Sequence, residues 1–550
     1  MNYLNNPSSR DSSPNLRIDS LVHRLCQICQ DLLQQDDIGA DDDFFSRGGN
    51  SILAIKFAMK IEKELGVRIK VKSFFDNPTI FELAELLRKN GNLQPKAITE
   101  SEDKAENNPL PGRSSPISRF QKKFWYKWKI WPEGVEDNYA IVYEITGKLN
   151  SVLLVQSFIH FVKSHDTLSS IFTENENGQV CLFPDTDIKP ETEIVNGENF
   201  SEEKLQNFIF TFNRRPFELD KKPAIRLSLI KITAQRHIAI LCMHHIIVDG
   251  TFVVEILKQW AFAYNAFLQQ KSPLPPISPS FAEYIKEEPS LFTAKNEAES
   301  SDFLMNLAKG VSPYLQLPYS DTGEPANRKA VYFKIDQEIV GQAKELARSC
   351  GSTLFFYYSS VFAALLLSYS DESACLLSYQ IDRRPAKFKS QFNVFVDSMP
   401  LRAEIQAQTT IKDMLQAAAE QRRASKKHTG SLFEDFLNRL RKERGDKFDA
   451  NLFNIGVNQA SLTTNIPFPL DGVKTSPLPP PESEMNSDMI LEIEIQDAAQ
   501  CRLSYNGMHF SRDFAEGVVK EFKQLVVLTV KHPELALIEL LQFRDQEKPG

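Results

Sequence analysis

The sequence of 550 residues is poor in cysteine and tryptophan and lacks a long uninterrupted apolar run. Its seven cysteines are odd in number and scattered, which argues against a disulfide framework and favours the reducing cytoplasm. Residues 1–15 contain no apolar segment, so we expect no signal peptide. The longest apolar stretch, 354–367, is interrupted by two serines and is too short to span a bilayer. We therefore expect no membrane partner.

Net charge and metal-ligand spacing exclude two further classes. The 72 acidic residues outnumber the 64 basic ones, giving a net charge of −8, so we expect no nucleic-acid partner. Cys26 and Cys29 form a Cys-x-x-Cys pair, but no second pair or histidine couple accompanies them. We interpret both as part of a buried helix face and predict no metal site.

The length exceeds one hydrophobic core, and the pattern divides the chain into segments. Residues 1–15 are rich in Asn, Ser and Pro and are predicted to be disordered. Residues 16–91 show three or four helical patterns and predict a small helical domain. Residues 92–113 are polar, contain three prolines and predict a linker. The rest mixes strands and helices and predicts an α/β region of two lobes, 114–285 and 286–550.

Hydrophobic periodicity predicts several elements of this α/β region. Two segments are typical of strands, three are typical of helices, and a proline-rich stretch predicts a loop in the second lobe. In that order they are 138–147, 237–245, 158–165, 252–268, 354–368 and 477–488.

Ser51 lies at the predicted start of a helix, in the string DDFFSRGGNSILAIKF. A helix N-terminus carries unpaired N–H groups and a positive dipole, so a phosphodiester on this serine would be stabilised. Phe44 and Phe45 can anchor the preceding loop in the core while the serine stays outside. Serine is also a preferred helix cap, and the residues alone leave both interpretations open.

The pattern D-x-F-F-x-x-G-G-x-S, followed by apolar residues, resembles the attachment site of acyl and peptidyl carrier proteins. The resemblance covers residues 16–90 and implies a four-helix bundle. It implies that Ser51 carries 4′-phosphopantetheine, added by a phosphopantetheinyl transferase. Ile52 and Leu53 resemble the apolar patch that carriers offer to partner enzymes; the alternative is ordinary core.

A histidine pair marks the end of a predicted strand in HIAILCMHHIIVDGTFVVEIL. Histidine is the usual proton shuttle near neutral pH, but adjacent strand residues point to opposite faces. The residues alone leave three interpretations open. His245 or His244 is catalytic, or the histidines are buried and structural, or they bind a metal with Asp249 as a poor third ligand.

The pattern H-H-x-x-x-D-G resembles the core motif of condensation domains of nonribosomal peptide synthetases, relatives of chloramphenicol acetyltransferase. Flanking motifs, from SRFQKKFW to FNVFVDSMPLR and HTGSLFEDFL, follow in the family's order over residues 114–545. The resemblance implies two chloramphenicol-acetyltransferase-like lobes that form a V around a central tunnel.

The resemblance also implies roles for individual residues. His245 orients or deprotonates an acceptor amine, and His244 is structural. Asp249 pairs with an arginine, for which Arg384 is the first candidate; Arg226 and Arg402 are less favoured. Gly250 gives the backbone room near the reacting centre.

Several positions depart from the family's pattern and leave the stereochemical subtype open. They are Lys123, Ser164, Ser169, Thr251, Phe252, Arg383, Asn393 and Asp397.

We therefore expect a monomeric, cytoplasmic carrier–condensation protein that moves an acyl or peptidyl group from Ser51 to an amine, forming an amide. The amine would belong to a downstream carrier or to a small molecule. No S-G-T-T-G-x-P-K-G string is present, so an adenylation enzyme or upstream module would load the carrier. Two rivals are ester formation or transfer to a free amine by the same site, and a non-catalytic platform that docks carriers or recruits enzymes.

Overall fold

The computed structural model describes most of the chain, and every structural statement below concerns the described residues. They are 14–33, 35–45, 47, 49, 51–67, 69, 73–74, 77–89, 114–175, 178–184, 187–273, 280–320, 322–324, 327–445, 452–460, 467–479, 485, 487–494 and 498–546. The predicted linker 92–113 lies outside them. So does the predicted disordered segment 1–15, except that the first helix already begins at Pro14.

The chain forms two compact units. The first comprises Met1–Asn108, Trp125–Pro132 and Asn438–Ala450, and the second comprises the remainder. The described helices of the predicted carrier are α1 Pro14–Leu33, α2 Ser51–Leu65 and α3 Ile80–Lys89.

Apolar residues at helical spacing form the core of the carrier. Leu25, Phe57, Ile61 and Leu83 are each at most 1% exposed. Cys26 and Cys29 also lie in this core, and burial raises the pKa of Cys29 to about 12. The interpretation of this cysteine pair as a buried helix face is therefore confirmed.

Phe44 anchors the loop that precedes α2. Its ring lies 5.4 Å from Phe57 and 6.0 Å from Phe74, centroid to centroid. Phe45 is half-buried against the same core, so the two aromatic residues hold the loop as predicted. The N–H of Gly49 donates to the Phe44 carbonyl at 2.9 Å, which closes the turn just before Ser51.

The second unit contains the α/β region. Its helices, with α4 and α14 running into the first unit, are α4 Arg119–Ile130, α5 Ser151–Lys163, α6 Asp166–Ser169, α7 Glu202–Asn213, α8 Val253–Leu268, α9 Phe281–Leu291, α10 Ala294–Ala308, α11 Gln337–Ser349, α12 Leu354–Leu367, α13 Ile411–Ser425, α14 Phe433–Arg444, α15 Arg512–Lys531 and α16 Leu537–Gln546. Its strands are β1 Ser115–Pro116, β2 Asn138–Gly147, β3 Ser170–Glu174, β4 Val180–Pro184, β5 Glu191–Asn196, β6 Ile225–Thr233, β7 Arg236–His244, β8 Arg328–Lys334, β9 Ala374–Asp382, β10 Val396–Glu404, β11 Ile455–Ala460, β12 Val473–Leu478, β13 Met489–Glu494 and β14 Gln500–Asn506.

These strands form three sheets. One has the order β12-β2-β7-β6-β5, a second has the order β10-β9-β11-β13-β14-β8, and a small third has the order β1-β4-β3. The parallel pairs are β5 with β6, and β11 with both β9 and β13. In β7, the middle strand of the five-stranded sheet, every residue after Arg236 is buried. That burial explains the nearly continuous apolar run that leads to the histidine pair.

The predicted elements match the structure closely, with differences at helix starts. Strand β2 spans the predicted 138–147, and α8 follows a short 3₁₀ turn, Gly250–Phe252. Helix α5 begins seven residues earlier than predicted, because Asn150 caps it by accepting from the N–H of Leu153 at 3.1 Å.

The proline-rich stretch 477–488 differs from the prediction of a loop. Its first two residues complete β12, which pairs antiparallel with β2. Proline has no N–H to donate to a neighbouring strand, and it is therefore tolerated mainly in edge strands. Because β12 lies at the edge of its sheet, Pro477 can be part of it. The boundary between lobes at 285 and 286, and the V shape with its tunnel, stay predictions.

Helix α12 was predicted as a buried core helix, and its last twelve residues are buried. No single described helix is both long and apolar enough to cross a membrane; α11 and α12, bent by 98°, meet the length and composition criteria only as a pair.

Gly49 offers a test of the loop that precedes Ser51. A Cβ at this position would lie 2.5 Å from the Phe44 carbonyl oxygen and collide with the Phe44 ring. We expect Gly49→Ala to destabilise the loop by about 1–3 kcal/mol, the usual cost of overpacking. Hydrogen exchange of the α2 amides in the intact chain measures this. Gly39→Ala is the control, since its Cβ would meet only Asp42 Oδ2 at 3.8 Å. Equal exchange protection of the α2 amides in Gly49→Ala and Gly39→Ala would contradict the predicted collision with Phe44.

Candidate active site

The two histidines at the end of β7 occupy different surroundings. His244 is 3% exposed, and its Nδ1 accepts from the N–H of Ile246 at 3.1 Å. The rings of Phe124 and Phe217 meet it edge-on, at 6.3 and 5.9 Å. Its accepting nitrogen is therefore used within the loop, as a structural histidine requires.

His245 is partly exposed and keeps one ring nitrogen available among the residues that the structure describes. Its Nδ1 lies 3.2 Å from the Val248 carbonyl oxygen. Because a carbonyl can only accept, this bond places the proton on Nδ1 and leaves the Nε2 lone pair free in the neutral ring. The ring stacks on Phe124 at 6.1 Å and lies 5.7 Å from Tyr139.

Burial lowers the pKa of His245 below its ordinary value, and Asp137 and the Val248 carbonyl partly oppose this shift. The neutral imidazole is therefore the dominant form at pH 7. A neutral ring with a free Nε2 can accept a proton or a hydrogen bond from an amine.

Asp249 is tied to the second half of the chain. Its Oδ2 accepts from Arg384 Nη2 at 2.8 Å and from the N–H of Phe395 at 2.9 Å. The two charged side chains are only 4% and 5% exposed. The guanidinium also lies over the rings of Phe252 and Phe395, at 4.3 and 4.9 Å. This pair fixes the loop that follows His245.

The other two candidate arginines contact different groups. Arg226 donates to the carbonyl oxygens of Phe212 and Pro216, at 2.8 and 3.2 Å. Arg402 donates to the Lys309 carbonyl oxygen at 2.7 Å and pairs with Glu404 at 3.0 Å. Arg384 is therefore the arginine that the structure brings to Asp249.

Gly250 is exposed, and a Cβ built on it would meet no atom within 4 Å. Packing within the chain therefore does not require glycine at this position. The open space leaves room for a bound substrate near the backbone.

Gln121 is a positioning residue that the sequence motif contained without an assigned role. Its Nε2 donates to the Ile246 carbonyl oxygen at 3.1 Å, in the loop between His245 and Asp249. Ser118 and Gln121 also cap each other's backbone N–H groups, at 3.0 and 3.2 Å. The Ser-x-x-Gln spacing is the signature of such a capping box, so the cap could be found from sequence, but the bond to Ile246 could not.

Two departures from the family's pattern lie together. Arg383 Nη2 is 3.1 Å from Asp397 Oδ2, and the side chains are 5% and 4% exposed. Asp397 also accepts from the N–H of Phe433 at 3.1 Å. The acidic residue therefore compensates the basic one, and neither is left as an isolated buried charge.

The residues around Ser51 suit the attachment of 4′-phosphopantetheine. Helix α2 begins at Ser51 and has no acidic residue in its first turn, so its positive end suits a phosphodiester. Gly49, which has no Cβ, packs directly against Phe44 and so holds the turn just before the serine. The residues fit the group, although the side chains of Ser51 and Ile52 lie outside the described part. Leu53 packs partly buried against the core.

Among the described residues, no three His, Cys, Asp or Glu side chains lie close enough together to hold a metal ion.

The comparisons with known proteins match both parts of the chain. A family model described as "Condensation domain" matches residues 113–549, and one described as "Phosphopantetheine attachment site" matches residues 23–87. A plipastatin synthase of Bacillus subtilis (strain 168) is 25% identical, covering 96% of this chain and 20% of that protein. Surfactin synthase subunit 2 of the same strain is 25% identical, covering 96% of this chain and 14% of that protein. The chain thus spans a fifth or less of the length of these relatives.

Solved structures show the same fold at lower identity. The X-domain from teicoplanin biosynthesis has a TM-score of 0.67 at 16% identity, covering 78% of this chain and 98% of that one. The starter condensation domain of rhizomide synthetase has a TM-score of 0.63 at 15% identity, with the same coverage. The chain belongs to the condensation domain family of nonribosomal peptide synthetases and carries a phosphopantetheine-binding region ahead of that domain.

Proposed function

We propose that this chain transfers an acyl or peptidyl group from the thioester on Ser51 to an amine, forming an amide. The observation that carries the proposal is the geometry of His245, whose Nδ1 is bound by the Val248 carbonyl and whose Nε2 has no partner among the described residues. Burial lowers the pKa of His245 and so favours the neutral ring. When attached to Ser51, the phosphopantetheine group supplies a flexible arm whose thiol holds the acyl group.

His245 receives the acceptor through Nε2. An N–H of the amine donates to this nitrogen, which aims the amine lone pair at the thioester carbonyl. The C–N bond forms and the C–S bond breaks. The amine proton passes by way of His245 to the departing sulfur, so the products are an amide and a thiol. Orientation and proton transfer both need the neutral ring.

Asp249 acts on the loop and not on the substrate in this proposal, because Arg384 and Phe395 occupy its Oδ2.

Partners would be a phosphopantetheinyl transferase, an enzyme or module that loads the carrier, and a carrier-bound or free acceptor. The cytoplasm and the monomeric state stay predictions.

A non-catalytic platform is the rival supported by a specific likeness. The X-domain of teicoplanin biosynthesis has been solved as a complex with OxyB, and it shares this fold. Retention of His245 with a free Nε2 favours catalysis in this chain.

Replacement of His245 tests the catalytic role. Loaded carrier and a simple primary amine are incubated, and the amide is measured by mass spectrometry. We expect His245→Ala to lower kcat/KM by about 10²–10⁴-fold, the usual contribution of a positioned acid or base. The His244→Ala variant tests its neighbour in parallel. Unchanged amide formation by His245→Ala would support the platform instead.

The pH dependence follows from the lowered pKa of His245. Only the neutral ring accepts the amine N–H, so activity should fall as the pH drops through the pKa of the folded protein. Since burial places that pKa below 6.5, the acid limb of kcat/KM should have its midpoint below pH 6.5. A midpoint at or above 6.5 would contradict the assignment. Measurement with an acceptor amine of low pKa keeps the amine itself neutral over this range.

Ser51 is tested by intact mass. Incubation with coenzyme A and a phosphopantetheinyl transferase should add one arm to the natural chain and none to Ser51→Ala. The Ser20→Ala variant, exposed on α1, should be modified like the natural chain. An added arm on Ser51→Ala would show that another residue is the attachment site.

The buried ion pair is tested by Arg384→Met. This change leaves the Asp249 carboxylate buried without its cation, so we expect local stability to fall by about 3–5 kcal/mol. Hydrogen exchange of amides 246–250 measures the effect. The double variant Arg384→Met with Asp249→Asn should recover part of the loss. The exposed pair Arg512–Glu516 is the control, and Arg512→Met should leave these amides unchanged. If amides 246–250 exchanged at the same rate in Arg384→Met and in Arg512→Met, the role of the Asp249–Arg384 pair would be contradicted.

A further inference from the structure

The second unit contains a cavity of about 680 Å³ that the proposed amide-forming step does not use. This volume lies in the range of small-molecule sites. Aromatic and basic side chains both line it. The aromatic residues include Phe120, Phe292, Phe355 and Tyr379, and the basic ones are Arg383, Arg422 and Lys426.

The charges around this cavity are unbalanced. Asp382 is the one acidic residue among those that line it, and it is engaged by Arg384 at 2.8 Å. Asp397 offsets the charge of Arg383. Within the described residues, Arg422 and Lys426 have no ion-pair partner. An excess of positive charge therefore remains at this cavity, in a chain whose net charge is −8.

Arg383, which lines the cavity, is held by groups of the chain itself. Its Nη1 donates to the carbonyl oxygens of Thr429 and Ser431, at 3.1 and 2.8 Å. Its Nη2 lies 3.1 Å from Asp397 Oδ2, and its Nε is buried without a hydrogen-bond acceptor in the described part of the chain. Because Asp397 offsets the charge of Arg383, the cations left for an anionic ligand in the cavity are Arg422 and Lys426.

The N-terminus of α12 adds a second source of positive potential. Thr353, Leu354 and Phe355, at the start of this 14-residue helix, line the cavity. The Thr353 side chain forms no cap hydrogen bond, and the first turn has no acidic residue. The first N–H groups of the helix therefore stay available for an oxyanion.

The cavity borders the elements that hold the histidine loop. Phe120 lines it, and Phe124, one turn further along α4, stacks on His245. Phe120 also contacts Phe395 at 6.0 Å, whose N–H holds Asp249. Phe120, which a ligand in the cavity would contact, is thus about 6 Å along the helix from Phe124, which stacks on His245.

We propose that this cavity binds the free carboxylate of an apolar amino-acid acceptor. This inference rests on the proposed function and names its substrate class. The carboxyl group of the donor is consumed in its thioester, whereas an acceptor that is not carried on an arm keeps its carboxylate. Arginine and helix N–H groups hold that oxyanion, and the aromatic residues of the lining contact the apolar side chain.

Binding can be measured without turnover by isothermal titration of the intact chain with 3-phenylpropionate, which has no amine to acylate. The neutral probe is 3-phenylpropanamide. We expect the carboxylate to bind about tenfold or more tightly than the amide, and Arg422→Gln to remove that advantage. The matched control is Arg423→Gln, an exposed neighbour on the same helix that does not line the cavity.

A phosphate is the competing oxyanion, so 4′-phosphopantetheine and pantetheine form the second pair of probes. Dependence on Arg422 for 4′-phosphopantetheine but not for 3-phenylpropionate would overturn the proposal and assign the cations to a carrier arm. Equal binding of carboxylate and amide, or equal effects of the Arg422 and Arg423 variants, would also overturn it. None of these results depends on His245, so failure of the amide-forming reaction would be seen separately.

Discussion

The buried ion pair between Asp249 and Arg384 is the constraint on which the active site depends. It joins residues 135 positions apart, and both side chains are almost fully removed from water. Such a pair is expensive to desolvate, and the cost is offset only if the remaining hydrogen bonds and contacts are made. Here the Phe395 N–H and the rings of Phe252 and Phe395 supply them. The loop after β7 therefore acquires one geometry only when both halves of the condensation domain are folded together.

That geometry sets the chemistry of His245. The turn from His245 to Asp249 brings the Val248 carbonyl to Nδ1, and the Gln121 amide holds the Ile246 carbonyl from another helix. The ring is thereby fixed in one tautomer, stacked on Phe124, and kept neutral by burial. The backbone bond at Nδ1 fixes the orientation of the ring without a carboxylate, and in the proposed reaction Nε2 is the nitrogen that receives the amine.

Much of this could be predicted from sequence, because periodicity and motif spacing are local. Strand β2 and helix α12 follow from periodicity. Ser51, the histidine motif and Arg384 as first candidate partner of Asp249 come from the resemblance to carrier proteins and condensation domains, and the structure brings Arg384 to Asp249. The position of β12 against β2 was missed, since pairing between distant segments leaves no local periodic signal. The bond from Gln121 to Ile246 was missed for the same reason. Arg383 and Asp397 were recognised only as separate departures, because their contact exists only in the folded sheet.

Arg383 and Arg384 show how one strand end can serve two purposes. They are neighbours in sequence just after β9, yet one pairs with Asp397 beside the cavity and the other with Asp249. Because neighbouring side chains at a strand end diverge, a charge can be added at 383 without disturbing the pair that holds the histidine loop. The family's common glycine at 383 would leave Asp397 buried without a cation, so the two departures have to occur together. If the cavity binds the acceptor as proposed, its lining at Arg383 can change while the loop that follows His245 keeps its geometry.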